Sequence, residues 1–401
     1  MNFKSLMLGA AAAAAATGAH AADLPVAPEP VDYVRVCDAY GARFYYIPGT
    51  ETCLRVGGRV RANYIANNFA DDGTWGGRGE ALDFNAEGYL YLDSRTATEF
   101  GLLRTFTEIE VESDNEVFLG KAYIQWGGLT FGHATSFFDF FTGQAFIGVV
   151  GRNWSDTTVD LAAYTAAFGN GFSATLSIED GAYRNTGVST VTGVTLANTT
   201  TVAYGGHKMP DLVANLRVDQ GWGSAQLSGA VHNVRHSVAA YEGATGWAVG
   251  GGVIINLPML SSGSNLAFQA QYADGALSYI GAPSTVSNAL GSTASLWDAD
   301  TTGDTSTGFS ISGGIYHQAT STIGIALDGS YMDIELANSG AAMIAGAPNS
   351  IDVTRWAIDG SVKWTPVSGL ELGADMGYAN TEVENYDYDD IRVGFRVQRT
   401  F

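Results

Sequence analysis

The stretch Leu54-Arg55-Val56-Gly57-Gly58-Arg59-Val60-Arg61-Ala62-Asn63-Tyr64 alternates residue by residue. Arg55, Arg59, Arg61 and Asn63 share one parity; Leu54, Val56, Val60, Ala62 and Tyr64 share the other. Successive side chains of a strand point to opposite faces, so this period predicts a strand with one wet and one apolar face. Leu103 to Glu112 repeats it, with Arg104, Glu108, Glu110 and Glu112 set against Leu103, Thr105, Thr107, Ile109 and Val111. The C-terminal end does the same: Arg392, Arg396 and Gln398 alternate with Ile391, Val393, Phe395, Val397 and Phe401.

A soluble sandwich also alternates, so the number of such segments matters. Strands are expected near 54–66, 86–98, 99–113, 117–127, 129–135, 160–168, 172–180, 211–219, 223–237, 246–257, 265–280, 307–318, 321–336, 352–365, 370–385 and 390–401. Sixteen is even, as a bacterial barrel with both ends in the periplasm requires. The connections fall into two kinds. Short ones lie at Thr98-Glu99, Gly127-Gly128, Gly169-Asn170-Gly171, Gln220-Gly221-Trp222 and Pro366-Val367-Ser368-Gly369. Between them come long polar links at 67–85, 136–159, 181–210, 281–306 and 337–351. Short turns at one end and long loops at the other are the outer-membrane pattern. Tyr64, Trp126, Trp222, Trp247, Trp356, Trp364, Tyr378, Phe395 and Phe401 sit near strand ends, where interfacial girdles would place them. The fold expected is all-β, a 16-stranded antiparallel transmembrane β-barrel.

The ends and composition agree. Met1 to Lys4 is a charged start, Leu6 to Ala16 an apolar run, and Ala19-His20-Ala21 a small-residue cleavage pattern. Residues 1–21 are read as a signal peptide, 22–53 as a lead-in holding both cysteines, and 54–401 as one barrel domain. No later stretch reaches the roughly 18 uninterrupted apolar residues of a membrane-spanning helix. A net charge of −21 argues against nucleic acid as a partner, which needs a basic footprint. The only cysteines are Cys37 and Cys53. In an exported chain a disulfide closing about 17 residues is the simplest reading, with two free thiols as the alternative.

Two long motifs then become recognisable. Val34-Arg35-Val36-Cys37-Asp38-Ala39-Tyr40-Gly41 and Tyr46-Ile47-Pro48-Gly49-Thr50-Glu51-Thr52-Cys53-Leu54-Arg55-Val56 closely resemble the N-terminal signature of alphaproteobacterial general porins of the outer membrane. Shorter matches are Thr105-Phe106-Thr107-Glu108, Phe141-Thr142-Gly143, Asn170-Gly171-Phe172-Ser173-Ala174, Met209-Pro210-Asp211 and the end Arg396-Val397-Gln398-Arg399-Thr400-Phe401. The resemblance implies a homotrimer and a third external loop, here Ser136 to Asp160, folded inward into the pore. It also implies that Phe401 is a C-terminal signal for the outer-membrane assembly machinery.

The chemistry of a pore is electrostatic: loop carboxylates facing an arginine wall set a transverse field. Loop candidates are Asp139, Asp156 and Asp160. Wall candidates are Arg59, Arg61, Arg95, Arg104, Arg217, Arg355, Arg392 and Arg396. The first and last strands meet when a barrel closes, so Arg59, Arg61, Arg392 and Arg396 should cluster. The competing reading is that lumen charges pair with one another and merely hold the loop. His232 and His236 imitate a metal pair, but four residues of strand separate them by roughly 13 Å. Asp298-Ala299-Asp300-Thr301-Thr302-Gly303 resembles the start of a calcium loop whose twelfth position would be Phe309 instead of glutamate. No metal, cofactor or catalytic constellation is expected. The function expected is a passive diffusion pore for small hydrophilic solutes and ions, a multi-pass protein of the outer-membrane lipid. Its rivals are a solute-selective channel, a non-channel barrel enzyme or adhesin, and a soluble secreted β-protein.

Overall fold

Each alternating segment becomes a strand bonded to its neighbours in sequence. The computed structural model describes residues 35–68, 81–114, 116–190, 200–202, 204–287, 293–337, 351–383 and 386–401. The expected signal peptide 1–21 and lead-in residues 22–34 lie outside them. The barrel strands are β1 (Cys53–Ala66), β2 (Leu82–Thr98), β3 (Gly101–Glu112), β4 (Val117–Trp126), β5 (Leu129–Thr135), β6 (Thr158–Gly169), β7 (Phe172–Glu179) and β8 (Asp211–Gln220). They continue as β9 (Gly223–Val234), β10 (Ala244–Asn256), β11 (Asn265–Asp274), β12 (Thr307–Gln318), β13 (Ile323–Leu336), β14 (Ile351–Val367), β15 (Leu370–Val383) and β16 (Tyr386–Thr400). Every consecutive pair is antiparallel, and β16 returns to β1 with Arg59 opposite Thr400 and Tyr64 opposite Phe395. The sheet therefore has no edge, so every ladder group of the wall can find a partner within it, the condition for crossing hydrocarbon as strands.

Parity sorts the two faces. Val56, Val60 and Tyr64 of β1, Leu212 and Leu216 of β8, and Ile311 and Ile315 of β12 are exposed on the outside. Ser, Gln, Asp and Arg of the opposite parity point into the lumen. So broad an apolar exterior would be a liability in water and is at home in lipid. Aromatic contacts mark both ends. Tyr64–Phe84, Trp247–Tyr272 and Trp356–Tyr378 lie toward the long links, and Phe100–Trp126 toward the short turns.

Four strand boundaries differ from expectation by three residues or more, the first being β2, which begins at Leu82, four residues early. β11 ends at Asp274, six residues early, because Gly275 takes φ +64° and Leu277–Ile280 coils into a 3-10 turn. That turn buries Leu277, Tyr279 and Ile280 beside Leu296, Trp297, Met332 and Ile334, making an apolar core inside the long-link mouth. β9 stops at Val234. β16 begins at Tyr386, four residues before the expected 390, so Asp387 and Asp389 are ladder residues: Asp389 faces Asn380 and accepts from the Tyr378 hydroxyl at 2.5 Å.

At the other mouth the cysteines are joined in a disulfide, Cys37–Cys53, with Cα atoms 6.0 Å apart. The enclosed segment pairs Tyr45–Tyr46 with β1 and buries Phe44. Arg55 and Arg95 lie over the Phe44 ring at 5.2 and 4.9 Å. Phe401 closes the same end by exchanging backbone hydrogen bonds with Gly58.

Candidate functional site

The link between β5 and β6, residues 136–157, is the third of the long-link end, and it has no regular structure of its own. Irregular backbone inside a barrel must still satisfy its N–H and C=O groups. The wall supplies the partners. Ser136 Oγ donates to Glu179 Oε2 at 2.7 Å, and Asn215 Nδ2 donates to the Phe137 carbonyl at 2.6 Å. Gln226 Nε2 donates to the carbonyls of Phe138 and Asp139, and Gln269 Oε1 accepts from Phe141 N at 3.1 Å. Further along, Asp328 Oδ2 accepts from Gln144 N and Ala145 N, both at 2.6 Å. Asp375 Oδ2 accepts from Ile147 N and Gly148 N at 2.6 and 3.0 Å, and Asp359 Oδ2 accepts from Val150 N at 3.3 Å. Among the described residues the link's wall contacts of this kind run from β7 to β16, and none goes to β1–β5.

The link lies close to the wall because the wall has been cleared for it. A Cβ added at Gly252 would meet the Phe140 ring at 2.6 Å, at Gly373 the Phe146 ring at 2.4 Å, and at Gly394 Val149 at 2.5 Å. Glycine inside a strand weakens it and here marks a close approach. The clamp has an electrostatic cost, since Asp328 and Asp359 are direct cross-strand partners. Like charges so placed repel. Arg152 of the link offsets this, 3.6 Å from each. With the backbone donors above, it gives both carboxylates charge-assisted partners.

The candidates separate into groups. Asp139 is buried and ion-paired with Arg184 at 2.9 Å; it also accepts from Ser155 Oγ and from Thr157 N. It holds the link in place, the competing role foreseen for lumen charges. Asp156 is exposed on the link near Lys121, and its carboxyl is pushed up first by partial desolvation and then by Asp139. The structure places Asp160 elsewhere. It lies on β6 with the parity of Tyr164, which faces outward, and pairs with His133 Nδ1 at 2.8 Å.

Arg59, Arg61 and Arg396 gather on β1 and β16. Arg59 stacks on the Tyr89 ring at 3.9 Å, and Arg61 reaches Glu87 at 3.1 Å. Arg396 donates to Asn63 Oδ1 at 2.6 Å and to the Phe146 carbonyl of the link at 2.9 Å. Arg392 leaves this cluster: it sits four residues along β16, roughly 13 Å away, bonded to Asp390 at 2.9 Å. Arg355 donates to Asn153 of the link at 2.8 Å. Arg95 and Arg104 share Asp93, each at 2.9 Å, with Arg55 at 3.4 Å. They are about 20 Å down the strand from Tyr89, beside the disulfide-closed segment. Arg217 pairs with Asp219 at 2.7 Å and faces Phe140.

Sequence reasoning missed Asp328, Asp359, Asp375, Glu179 and Arg184. The first three carry lumen parity among Gly and Ser, a signal for polar work inside the barrel though not for its partner. The motif acids Asp298 and Asp300 organise loops: Asp298 accepts from Thr186 N, Leu277 N and Tyr204 Oη, and Asp300 from Thr302 N and Asp304 N. His232 meets Asp211 at 2.8 Å. The resulting geometry is a lumen in which the link bonds to β7–β16, while β1–β5, which carry Arg59, Arg61, Glu87, Glu108 and Glu110, make no such bond to it among the described residues. Such a passage can sort solutes by size and by transverse charge.

The sequence profile described as "Porin subfamily" matches residues 23–395. Porin Omp2b of Brucella canis is 41% identical over 249 residues, covering 56% of this chain and 64% of that protein. The chain thus spans a little under two thirds of the length of the relatives it matches. Among solved structures, the outer membrane channel DcaP of Acinetobacter baumannii superposes with a TM-score of 0.68 at 20% identity, covering 89% of this chain and 99% of that one. The trimer form of Vibrio cholerae OmpT, an outer membrane protein, gives 0.53 at 8% identity over 88% and 100%.

Proposed function

The chain belongs to the porin subfamily, and from that premise we propose that it forms a passive diffusion pore for small hydrophilic solutes and ions. It resides in the bacterial outer membrane, which it crosses by its strands. The observation that supports the reading is the row of hydrogen bonds from the third link to β7–β16, with none to β1–β5 among the described residues. A closed barrel of sixteen strands leaves an aqueous channel unless something fills it. A link pressed against one side narrows that channel without plugging it.

The constriction is formed by the link edge with Asp156 on one side. Arg59, Arg61 and Arg396 stand on the other, with Glu87 beside them. Arg355 and Arg392 belong to the approach from the long-link mouth, and Arg95 and Arg104 to the opposite mouth. Residues 1–21 are removed on export, Phe401 is read by the assembly machinery, and the working form is a homotrimer. Support for the trimer is the resemblance, together with a similarly folded protein described in a trimer form.

Purified protein in planar bilayers tests the pore. Stepwise currents that scale with bulk salt are the expected result. Correctly folded protein that inserts and conducts nothing would overturn the proposal.

A further inference from the structure

Where the third link turns back toward the long-link mouth, it encloses a cavity of about 280 Å³ with residues 281–286, β14 and β16. At the roughly 30 Å³ that each water occupies in the liquid, this is space for about nine waters. Three guanidinium groups line it, Arg152 from the link, Arg355 from β14 and Arg392 from β16, against the single carboxylate of Asp390.

The three are not equivalent. Arg152 is committed below the cavity, to Asp328, Asp359 and the Val150 carbonyl. Arg392 gives Nε to Asp390 at 2.9 Å. Arg355 has one hydrogen bond, from a terminal nitrogen to Asn153 Oδ1 at 2.8 Å, and no carboxylate within ion-pair distance among the described residues. Like charges are thus gathered at a half-buried place where their repulsion is only partly screened. Guanidinium is a planar fork that takes two oxygens of one carboxylate or phosphate side by side. Pro283, Val286 and Ala379 add apolar lining.

We propose that this cavity is a subsite for small solutes bearing an oxyanion, held between Arg355 and Arg392 on the way to the constriction. The proposal rests on the reading of the protein as an open pore. Asp390 tunes the subsite by competing for Arg392. Binding here is weak by design of the contacts: one unpaired guanidinium captures the anion, and a second, shared with Asp390, lets it go. A conducting path needs that balance.

The test uses the full protein in planar bilayers, with succinate or inorganic phosphate added on the long-link side of a potassium chloride bath. Saturable block of the chloride-carried current by either probe is expected. Block by succinate alone assigns the site to organic carboxylates; block by both assigns it to the oxyanion head. Arg355→Gln should raise the half-blocking concentration about tenfold or more, since a charged hydrogen bond is lost. Asp390→Asn should lower it by releasing Arg392. Arg392→Gln provides a second weakening variant should Arg355→Gln not fold. Full conductance with no block by either probe overturns the subsite and leaves the pore reading standing. No conductance at all counts against the pore reading itself.

Discussion

Arg184 and Asp139 form an ion pair at 2.9 Å whose side chains are 0% and 1% exposed. The pair joins two long links, 136–157 and 180–210, inside the barrel mouth. Arg184 also donates to Ser155 Oγ at 2.7 Å and lies over the Tyr279 ring at 4.4 Å. Removing one partner of such a pair leaves a buried charge unanswered, at a cost of about 3–5 kcal/mol. Arg184→Gln should therefore lower the unfolding midpoint in detergent and make the open-channel current flicker as the link loosens. A wild-type midpoint with a quiet current would show that the tether is not what holds the link.

Gly373 offers a test of how the link is seated. A Cβ there would lie 2.4 Å from the Phe146 ring. Overpacking of this kind costs about 1–3 kcal/mol and is relieved by moving the flexible partner. In Gly373→Ala the link should shift away from the wall and into the lumen, reducing the unitary conductance. Equal or larger conductance in a stable variant would mean that the link does not border the passage at this point.

Acid should change the ion preference through Asp156. Its carboxyl is held above the ordinary carboxylate range by desolvation and then by Asp139, against the pull of Lys121 and Arg184. The folded protein thus binds this proton more tightly than the unfolded chain, so its unfavourable contribution to stability is relieved as pH falls through the raised value. Over the same interval the third link loses a negative charge. Reversal potentials in a salt gradient should move toward anions as the bath is acidified, and Asp156→Asn should abolish that step. A step of unchanged size in the variant would assign it to another group.

The disulfide should contribute to stability rather than to permeation. Cys37→Ser with Cys53→Ser frees a segment whose ends are 16 residues apart. The expected loss is about 2–4 kcal/mol, read as a lower midpoint for release of the lead-in. Conductance through the constriction near Arg59 should persist. Its disappearance in folded protein would place the segment on the solute path.

The barrel was legible because its information is local. Residues Leu54 to Tyr64 declare their two faces without reference to anything else, and the even strand number met the condition for a barrel with both ends on one side. Even the placement of Asp160 could have been read this way, for it shares its parity with Tyr164. The site was less legible because its contacts are remote. Ile147 N bonds to Asp375 across 228 residues of sequence, and Phe146 rests on Gly373. Nothing near 147 names 375 as its partner. Asp139 looked the same as Asp156, an acid in a polar link. What separates them is Arg184, 45 residues away, which buries one and leaves the other exposed.

The glycine bed divides the inside of the barrel into two surfaces with different masters. On the proposed pore reading a solute would meet the side chains of β1–β5, so altering Glu108 or Arg61 should change what passes. Beneath the link, Gln269 bonds Phe141 and Ser312, so altering either should change whether the link settles. Substitutions on β1–β5 thus act on a different surface from those at the residues that hydrogen-bond the link. A screen of lumenal substitutions should sort by whether the residue bonds the link, as Gln269 does, or makes no bond to it among the described residues, as Glu108.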